Sequence, residues 1–257
     1  MEILTFDMAG KFAHFRKYYA NNTAMSFTLP PRTALMGIVG AILGLPRDSY
    51  YKALASEHFR FSVRILGPVK KSFHRLNMIK IIGERDFQGK QGHTQTPFEV
   101  VTGPDLRKDQ VQYRIYIAVD DPTGNALYGQ LKSHLLAAKA VFSVSMGTAN
   151  FSAQISNIRI YPPGEWVRKE TLGKEFLAVH SAVPSVQVQG VDGESGKMLL
   201  EEERLPANFR ADFSRELAEP MWRILFSTNG KPMRLKLRGN YFELHKAGDT
   251  EIITFLD

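Results

Sequence analysis

Apolar residues at Ile3, Leu4, Phe6 and Met8 predict a first strand that ends near Gly10. Pro30–Pro31 then opens a run, residues 32–45, that is apolar on nearly every face of a helix and therefore predicts a buried one. Proline suits that start, because it lacks only an N–H that would be unpaired there anyway. Gly37, Gly40 and Gly44 fall on one side, which predicts close approach by a sheet or another backbone. Asp48 is placed to cap a short helix through Ser56. Phe59, Phe61, Val63 and Ile65 alternate with Arg60, Ser62 and Arg64, the period of a half-buried strand. Val111, Tyr113, Ile115, Ile117 and Val119 predict another. Asp121–Pro122 is a cap followed by a first-turn proline, and Leu127, Leu131, Leu135, Ala138 and Phe142 make the apolar stripe of a second helix. The loop Ser145–Met146–Gly147–Thr148–Ala149–Asn150 leads to a strand carrying Phe151, Ala153, Ile155 and Ile158.

The order is strand, helix, strand, strand, helix, strand, which predicts an α+β, ferredoxin-like βαββαβ domain over residues 1–161. Tyr161–Pro162–Pro163–Gly164 reads as a boundary. Beyond it, residues 162–257 predict a small β-rich region. Its short strands fall at 222–226, 233–237, 241–244 and 252–256, separated by turns at Asn229–Gly230, Gly239–Asn240 and Gly248–Asp249. Residues 67–110 interrupt the first domain where ~2–5 residues would suffice for a hairpin turn. They carry Lys70, Lys71, His74, Arg75, Lys80, Arg85 and Lys90, with Phe73, Leu76, Met78, Ile79, Ile81 and Ile82. The expectation is a protruding basic β-hairpin.

Composition narrows the chemistry. The 257 residues carry a net charge of +7, which favours polyanionic partners such as nucleic acid. There is no cysteine, so disulfides, thiolate zinc sites, iron–sulfur clusters and cysteine nucleophiles are excluded. No N-terminal signal pattern and no apolar run near ~20 residues occurs, so the expectation is a cytoplasmic protein without a membrane partner. No GxGxxG, HExxH or GxSxG pattern is present. The stretch Gly190–Val191–Asp192–Gly193–Glu194–Ser195–Gly196–Lys197–Met198 resembles a phosphate loop but lacks its hydroxyl residue and reads as a turn. Glu201–Glu202–Glu203 reads as a solvated face or salt-bridge partner. No cofactor is expected.

The segment Lys11–Phe12–Ala13–His14–Phe15–Arg16–Lys17–Tyr18–Tyr19 mixes cations that neutralise phosphates with rings that stack on unpaired bases. The alternative is that Phe12 and Phe15 belong to the core. Pro31–Arg32–Thr33 joins a helix start to a guanidinium, a natural phosphate site unless Arg32 pairs with Asp7 or another acid. The small residues around Gly147 suit close approach to an RNA backbone, or else Gly147 is a helix C-cap.

Together these residues resemble the CRISPR-associated Cas five family, a branch of the repeat-associated RNA-binding (RAMP) superfamily. The likeness lies in Gly10–Lys11–Phe12–Ala13–His14–Phe15–Arg16 and Pro30–Pro31–Arg32–Thr33–Ala34–Leu35–Met36–Gly37. It continues in Thr96–Pro97–Phe98–Glu99–Val100 and Met146–Gly147–Thr148–Ala149–Asn150–Phe151, and in Leu205–Pro206–Ala207–Asn208–Phe209–Arg210, which is similar to type I-B-like members. The resemblance implies a non-catalytic subunit of a type I Cascade complex that caps the 5′ handle of the guide RNA. It would touch a backbone subunit and the large subunit, meet target DNA only indirectly, and use residues 67–110 as a thumb. By position, the RNA-binding candidates are Arg16, Lys17, Arg32, Thr33, Gly147, Thr148 and Asn150, with Lys70, Lys71, His74 and Arg75 on the thumb stem. One branch of the family cuts precursor RNA with a tyrosine, a lysine and an adjacent histidine. No lysine directly precedes a histidine here, and His245–Lys246 reverses the order. A metal-independent endoribonuclease built on His74 and His93 with Tyr18 or Tyr19 is the competing expectation, and a general single-strand RNA binder is a third.

Overall fold

The computed structural model describes residues 1–20, 23–79, 81–89, 92–120, 122–193, 199–212, 214–246 and 248–256. Lys80, Lys90, the expected cap Asp121 and residues 194–198 of the glycine-bearing stretch lie outside them. The chain is a strand-rich α+β fold. Strand β1 (Ile3–Gly10) is followed by two short strands, β2 (Phe15–Arg16) and β3 (Ser26–Phe27), and by helix α1 (Arg32–Leu43). Then come β4 (Arg60–Ile65), β5 (Lys70–Met78), β6 (Thr94–Thr102), β7 (Val111–Ala118), α2 (Pro122–Leu136) and β8 (Gln154–Tyr161). The central sheet runs β4–β7–β1–β8, and every neighbouring pair is antiparallel.

One face of that sheet meets the helices. Leu4, Phe6 and Met8 of β1, Phe61 and Val63 of β4, and Ile115 and Ile117 of β7 pack with Leu35, Met36, Val39 and Ile42 of α1 and Leu131 and Leu135 of α2. Burying each such side chain contributes roughly 1.5–3 kcal/mol. Helix α1 ends where Gly44 adopts φ 75°, a left-handed C-cap. Its glycine row is approached by a side chain, not by a sheet or backbone: a Cβ on Gly40 would stand 2.8 Å from the Tyr50 ring. Two local expectations fail. Asp48 caps no helix; its φ is 64° and residues 51–58 form turns. The stripe on α2 stops at Leu135, because the helix ends at Leu136 and Phe142 lies exposed in the following loop.

The other face is also covered. After β8 the chain forms β9 (Trp166–Val179), β10 (Val183–Pro184), β11 (Val188–Val191), β12 (Leu200–Leu205), β13 (Trp222–Ser227), β14 (Met233–Lys246) and β15 (Asp249–Ile253). These build one sheet in the order β10–β13–β12 and another in the order β11–β14–β15–β9. Phe242, Leu244, Ile253 and Phe255 pack onto Ile3, Tyr116, Ala118 and Tyr161. Beside that cluster Glu251 pairs with Arg64, accepts 2.6 Å from the Tyr116 hydroxyl, and stands 3.6 Å from Arg114. Burial would raise the Glu251 carboxyl, but the Tyr116 hydrogen bond and the two guanidinium groups hold it below its usual range. Strand β4, expected to be half-buried, is therefore covered on both faces. Its outer edge is closed as well, since Ala182 and Leu256 donate to Val63 and Phe61 carbonyls at 2.8 Å each. The expected turn at Gly239–Asn240 is absent; β14 runs straight through it with Gly239 at φ 111°.

Residues 67–110 do form a hairpin, with β5 and β6 paired from Lys70↔Thr102 to Met78↔Thr94. It protrudes only in its outer half. Phe98, Val100 and Val101 are buried, and Ala13 and Ala24 bridge to Val101 and Phe98. Outward, Phe73, Met78, Ile79, Ile81, Ile82 and Phe87 are exposed. Asp86 caps the tip by accepting from the Ile82 and Gly83 amides at 2.6 and 3.0 Å.

Candidate nucleic-acid interface

The segment between β1 and α1 is pinned from both sides. The His14 amide donates to the Met146 carbonyl at 2.9 Å, and Ala13 exchanges bonds with Val101. The His14 ring stacks on Phe98 at 4.0 Å with Nδ1 2.7 Å from the Glu99 carbonyl. Burial pushes its pKa below the usual histidine value, and the nearby Arg16 charge adds to that. Glu99, itself buried, accepts from the Ser26 amide at 2.8 Å and so fixes β3 beside β2. Gly147 completes the join. Its φ is 96°, and an added Cβ would lie 2.1 Å from the His14 carbonyl oxygen, so only glycine fits. It is not a helix C-cap, since α2 has already ended.

The pinned segment borders a cleft of about 530 Å³. Arg16 and Tyr18 line it from the segment, Thr33, Gly37 and Ile38 from α1, Ser145 and Gly147 from the loop before β8, and Tyr50, Tyr51, Phe209 and Arg215 from further along the chain. Among the described residues no carboxylate lines it, and the nearest, Asp48, is bonded to Tyr51 and Arg215. Two arginines and the rings of Tyr18 and Tyr50 line it, with Tyr51 buried behind them, a combination suited to a phosphate bearing an unstacked base. Phe15 turns into the core and Phe12 packs against Phe151, while Tyr18 and Tyr19 stay about half exposed. The rings of the basic-aromatic segment left open to solvent are thus its tyrosines.

The structure gathers Arg16, Thr33 and Gly147 at this cleft. Thr148 and Asn150 lie in the loop beside Gly147, half-buried and exposed respectively. Arg32 is a correction. It is 2 % exposed, donates to Asn208 Oδ1 at 2.6 Å and to the Leu54 and Phe59 carbonyls, and its guanidinium lies 5.1 Å from the Phe61 ring centre. Buried on these oxygens, it holds the fold, while Asp7 pairs with Arg114 at 2.7 and 3.0 Å. Lys17 and Lys71 are held together in one ion-pair cluster. Both ammonium groups pair with Glu203, at 3.2 and 2.6 Å, and that carboxylate also accepts from the Thr28 amide at 2.8 Å. The expectation that the glutamate run supplies a salt-bridge partner holds at Glu203. Lys70, His74 and Arg75 are exposed on β5; Lys70 donates to the Pro104 carbonyl at 2.7 Å and His74 lies 3.1 Å from the Ser72 hydroxyl.

Sequence reading missed Tyr50, Tyr51 and Arg215. The glycine row on α1 was the available signal, because Gly37 and Gly40 leave the room that Tyr50 fills. Among the described residues no group of histidines and carboxylates is placed to hold a metal ion, and no helix is long and apolar enough to cross a membrane.

No curated protein matches this chain. Among solved structures, a CRISPR protein from Archaeoglobus fulgidus is similar with a TM-score of 0.58 at 9% identity, over 98% of this chain and 99% of that one. A chain of a CRISPR RNA-guided surveillance complex is similar with a TM-score of 0.51 at 13% identity, over 91% of each. At such identities the likeness is one of fold. The sequence adds to it: residues 3–118, from β1 through β7, match the family model described as CRISPR-associated protein (Cas_Cas5), so that stretch of the chain is similar to that family.

Proposed function

We propose that this protein is the subunit of a type I Cascade complex that binds the 5′ handle of the guide RNA. The observation that carries the reading is the cleft where Arg16 and Gly147 meet Tyr18 and Tyr50, with Thr33 and Tyr51 buried in its wall and Asp48 at its rim. Arginines give charge without a fixed base partner, and tyrosines give stacking faces to any unpaired base. The solved surveillance-complex chain of similar fold supports guide RNA and neighbouring subunits as partners. The central sheet order with both helices on one face supports a ferredoxin-like domain, and the β5–β6 hairpin supports a thumb. Its exposed Phe73, Ile81, Ile82 and Phe87 suit burial against the backbone or large subunit. Target DNA is met through the guide.

On this reading the chain binds RNA without cutting it. His93 lies beyond Thr94 near the hairpin tip, five residues from the partner of His74, or roughly 17 Å along a strand. A general acid and base must both reach one phosphodiester within hydrogen-bond distance. Co-expression with the neighbouring backbone and large subunits and a guide RNA should give one co-purifying particle. A chain that always purifies alone argues against the subunit. Incubating the chain with labelled precursor RNA in chelator should leave the RNA intact; a specific cut lost in His74→Ala or His93→Ala would restore the endoribonuclease.

A further inference from the structure

The cleft's second arginine is held in an unusual way. Arg215 Nε donates to Asp48 Oδ1 at 2.9 Å, and among the described residues that single nitrogen is its side chain's attachment. Both partners sit in the left-handed backbone region, Asp48 at φ 64° and Arg215 at φ 58°. Asparagine and aspartate tolerate that region through local hydrogen bonds; arginine does so rarely. Two of the four non-glycine residues with positive φ among those described are thus the two ends of one ion pair at the rim of one cleft. Strained backbone of this kind gathers where a site is poised.

Asp48 does not depend on Arg215. The Tyr51 hydroxyl donates to the same Oδ1 at 2.6 Å, and Arg47 Nε stands 3.5 Å from Oδ2 on a side chain that is otherwise exposed. Nor does the loop bearing Arg215 depend on Asp48. Its base is rooted by Asn208, which accepts from Arg32 at 2.6 Å and donates to Ser56 at 3.0 Å and to Glu219. Arg210 donates to the Glu216 carbonyl at 2.9 Å, Phe209 bridges to Leu217, and the Phe209 ring packs on Tyr51. Release of Arg215 leaves a neutralised carboxylate behind it and a loop still closed at its root.

We propose that Arg215 is a phosphate-binding residue of the cleft, held on Asp48 until single-stranded RNA enters and then exchanged from the carboxylate to a phosphodiester oxygen. No covalent bond changes. One charge-assisted hydrogen bond replaces another, while Arg47 and Tyr51 keep Asp48 satisfied. Arg215 and Arg16 then act on one strand from two segments of the chain, with the tyrosines between them. The inference rests on the guide-RNA reading and adds to it a residue and the exchange that frees it.

The test uses the purified full chain and a 5′-labelled guide RNA transcribed from the CRISPR repeat beside its own gene, with affinity measured over a range of KCl concentrations. Asparagine is substituted at both positions because it accepts the left-handed backbone. Arg215→Asn should weaken binding roughly tenfold and flatten the slope of log K against log salt by about 0.7. Asp48→Asn should tighten binding by freeing Arg215, and should do nothing in the Arg215→Asn background. If both single variants lower the melting temperature and leave affinity and slope as in wild type, the pair is a structural latch and the exchange is wrong. The same holds if Asp48→Asn weakens binding. Absence of salt-dependent binding in the wild type removes the guide-RNA reading itself, whereas wild-type binding with an unaltered Arg215→Asn slope removes only the exchange.

Discussion

Arg16 and Lys17 are consecutive residues that end up in opposite situations. Arg16 is exposed at the mouth of the cleft, with one weak bond of 3.3 Å to the Ala20 carbonyl. Lys17, one residue on and facing the other way, lies over the Phe27 ring at 5.2 Å and pairs with Glu203. A lysine from the hairpin stem, Lys71, meets the same carboxylate. Arg16 at the cleft is therefore left without an acid, while the neighbouring clamp uses two cations to seat one half-buried acid. Positive charge counted along a chain is not positive charge offered to a partner. What decides is whether a distant segment, here β12, brings a carboxylate to it.

Four experiments sharpen that contrast, beginning with the largest effect. Arg32→Met leaves Asn208 and two buried carbonyls without their donor, and should cost about 3 kcal/mol or more by urea unfolding. Under conditions where the variant remains folded, its RNA salt slope should equal that of wild type, because Arg32 never faces a phosphate. Glu203→Gln should cost about 1–3 kcal/mol of stability, since a half-buried acceptor of three donors loses its charge. It should also steepen the salt slope, by up to about 0.7 for each lysine that becomes available. An unchanged slope would mean that Lys17 and Lys71 lie out of reach of RNA even when unpaired.

Arg16→Ala and Lys17→Ala form the direct pair. The first should flatten the slope by about 0.7 with little change in melting temperature, and the second should lower the melting temperature with no change in slope. Equal slopes in the two variants would erase the distinction between cleft and clamp. The smallest effect is on pH dependence. His14 is held below its ordinary pKa by burial and by Arg16, and His180 by burial and by Arg64. Their unfolded counterparts take up protons near pH 6.5 while the folded groups do not. Stability should therefore fall as pH drops below about 6.5. Arg16→Ala relieves part of the His14 depression, so its loss of stability over that range should be slightly smaller than in wild type.

The elements were legible where the pattern was long and consistent. The alternation 59–65 and the apolar run after Pro31 became β4 and α1 because burial of those faces outweighs every local alternative. The pattern failed where a single residue was asked to decide. Asp48 carries a cap signature, yet its side chain is claimed by Tyr51 and Arg215, 167 residues away in the latter case. Strand β9, fourteen residues long, escaped notice because its alternation is broken by Gly173 and by the charges at Arg168, Lys169, Lys174 and Glu175. Its partner β14 supplies the hydrogen bonds that the sequence pattern does not announce.

Of the candidate site, the chain by itself determined the chemical inventory and its local framing. A basic-aromatic segment follows the first strand, and a proline-led apolar helix comes after it. Those features are local, set by residue type and by spacing within a few turns. Only the tertiary structure decided which cations remain available. It buried Arg32 against the 208–209 segment, tied Lys17 and Lys71 to Glu203, and brought Tyr50 and Arg215 to the rim beside Arg16. A guanidinium or an ammonium is the same group in every sequence. Its role is fixed by what lies within about 4 Å of it, and for this protein those neighbours come from segments tens to nearly two hundred residues distant.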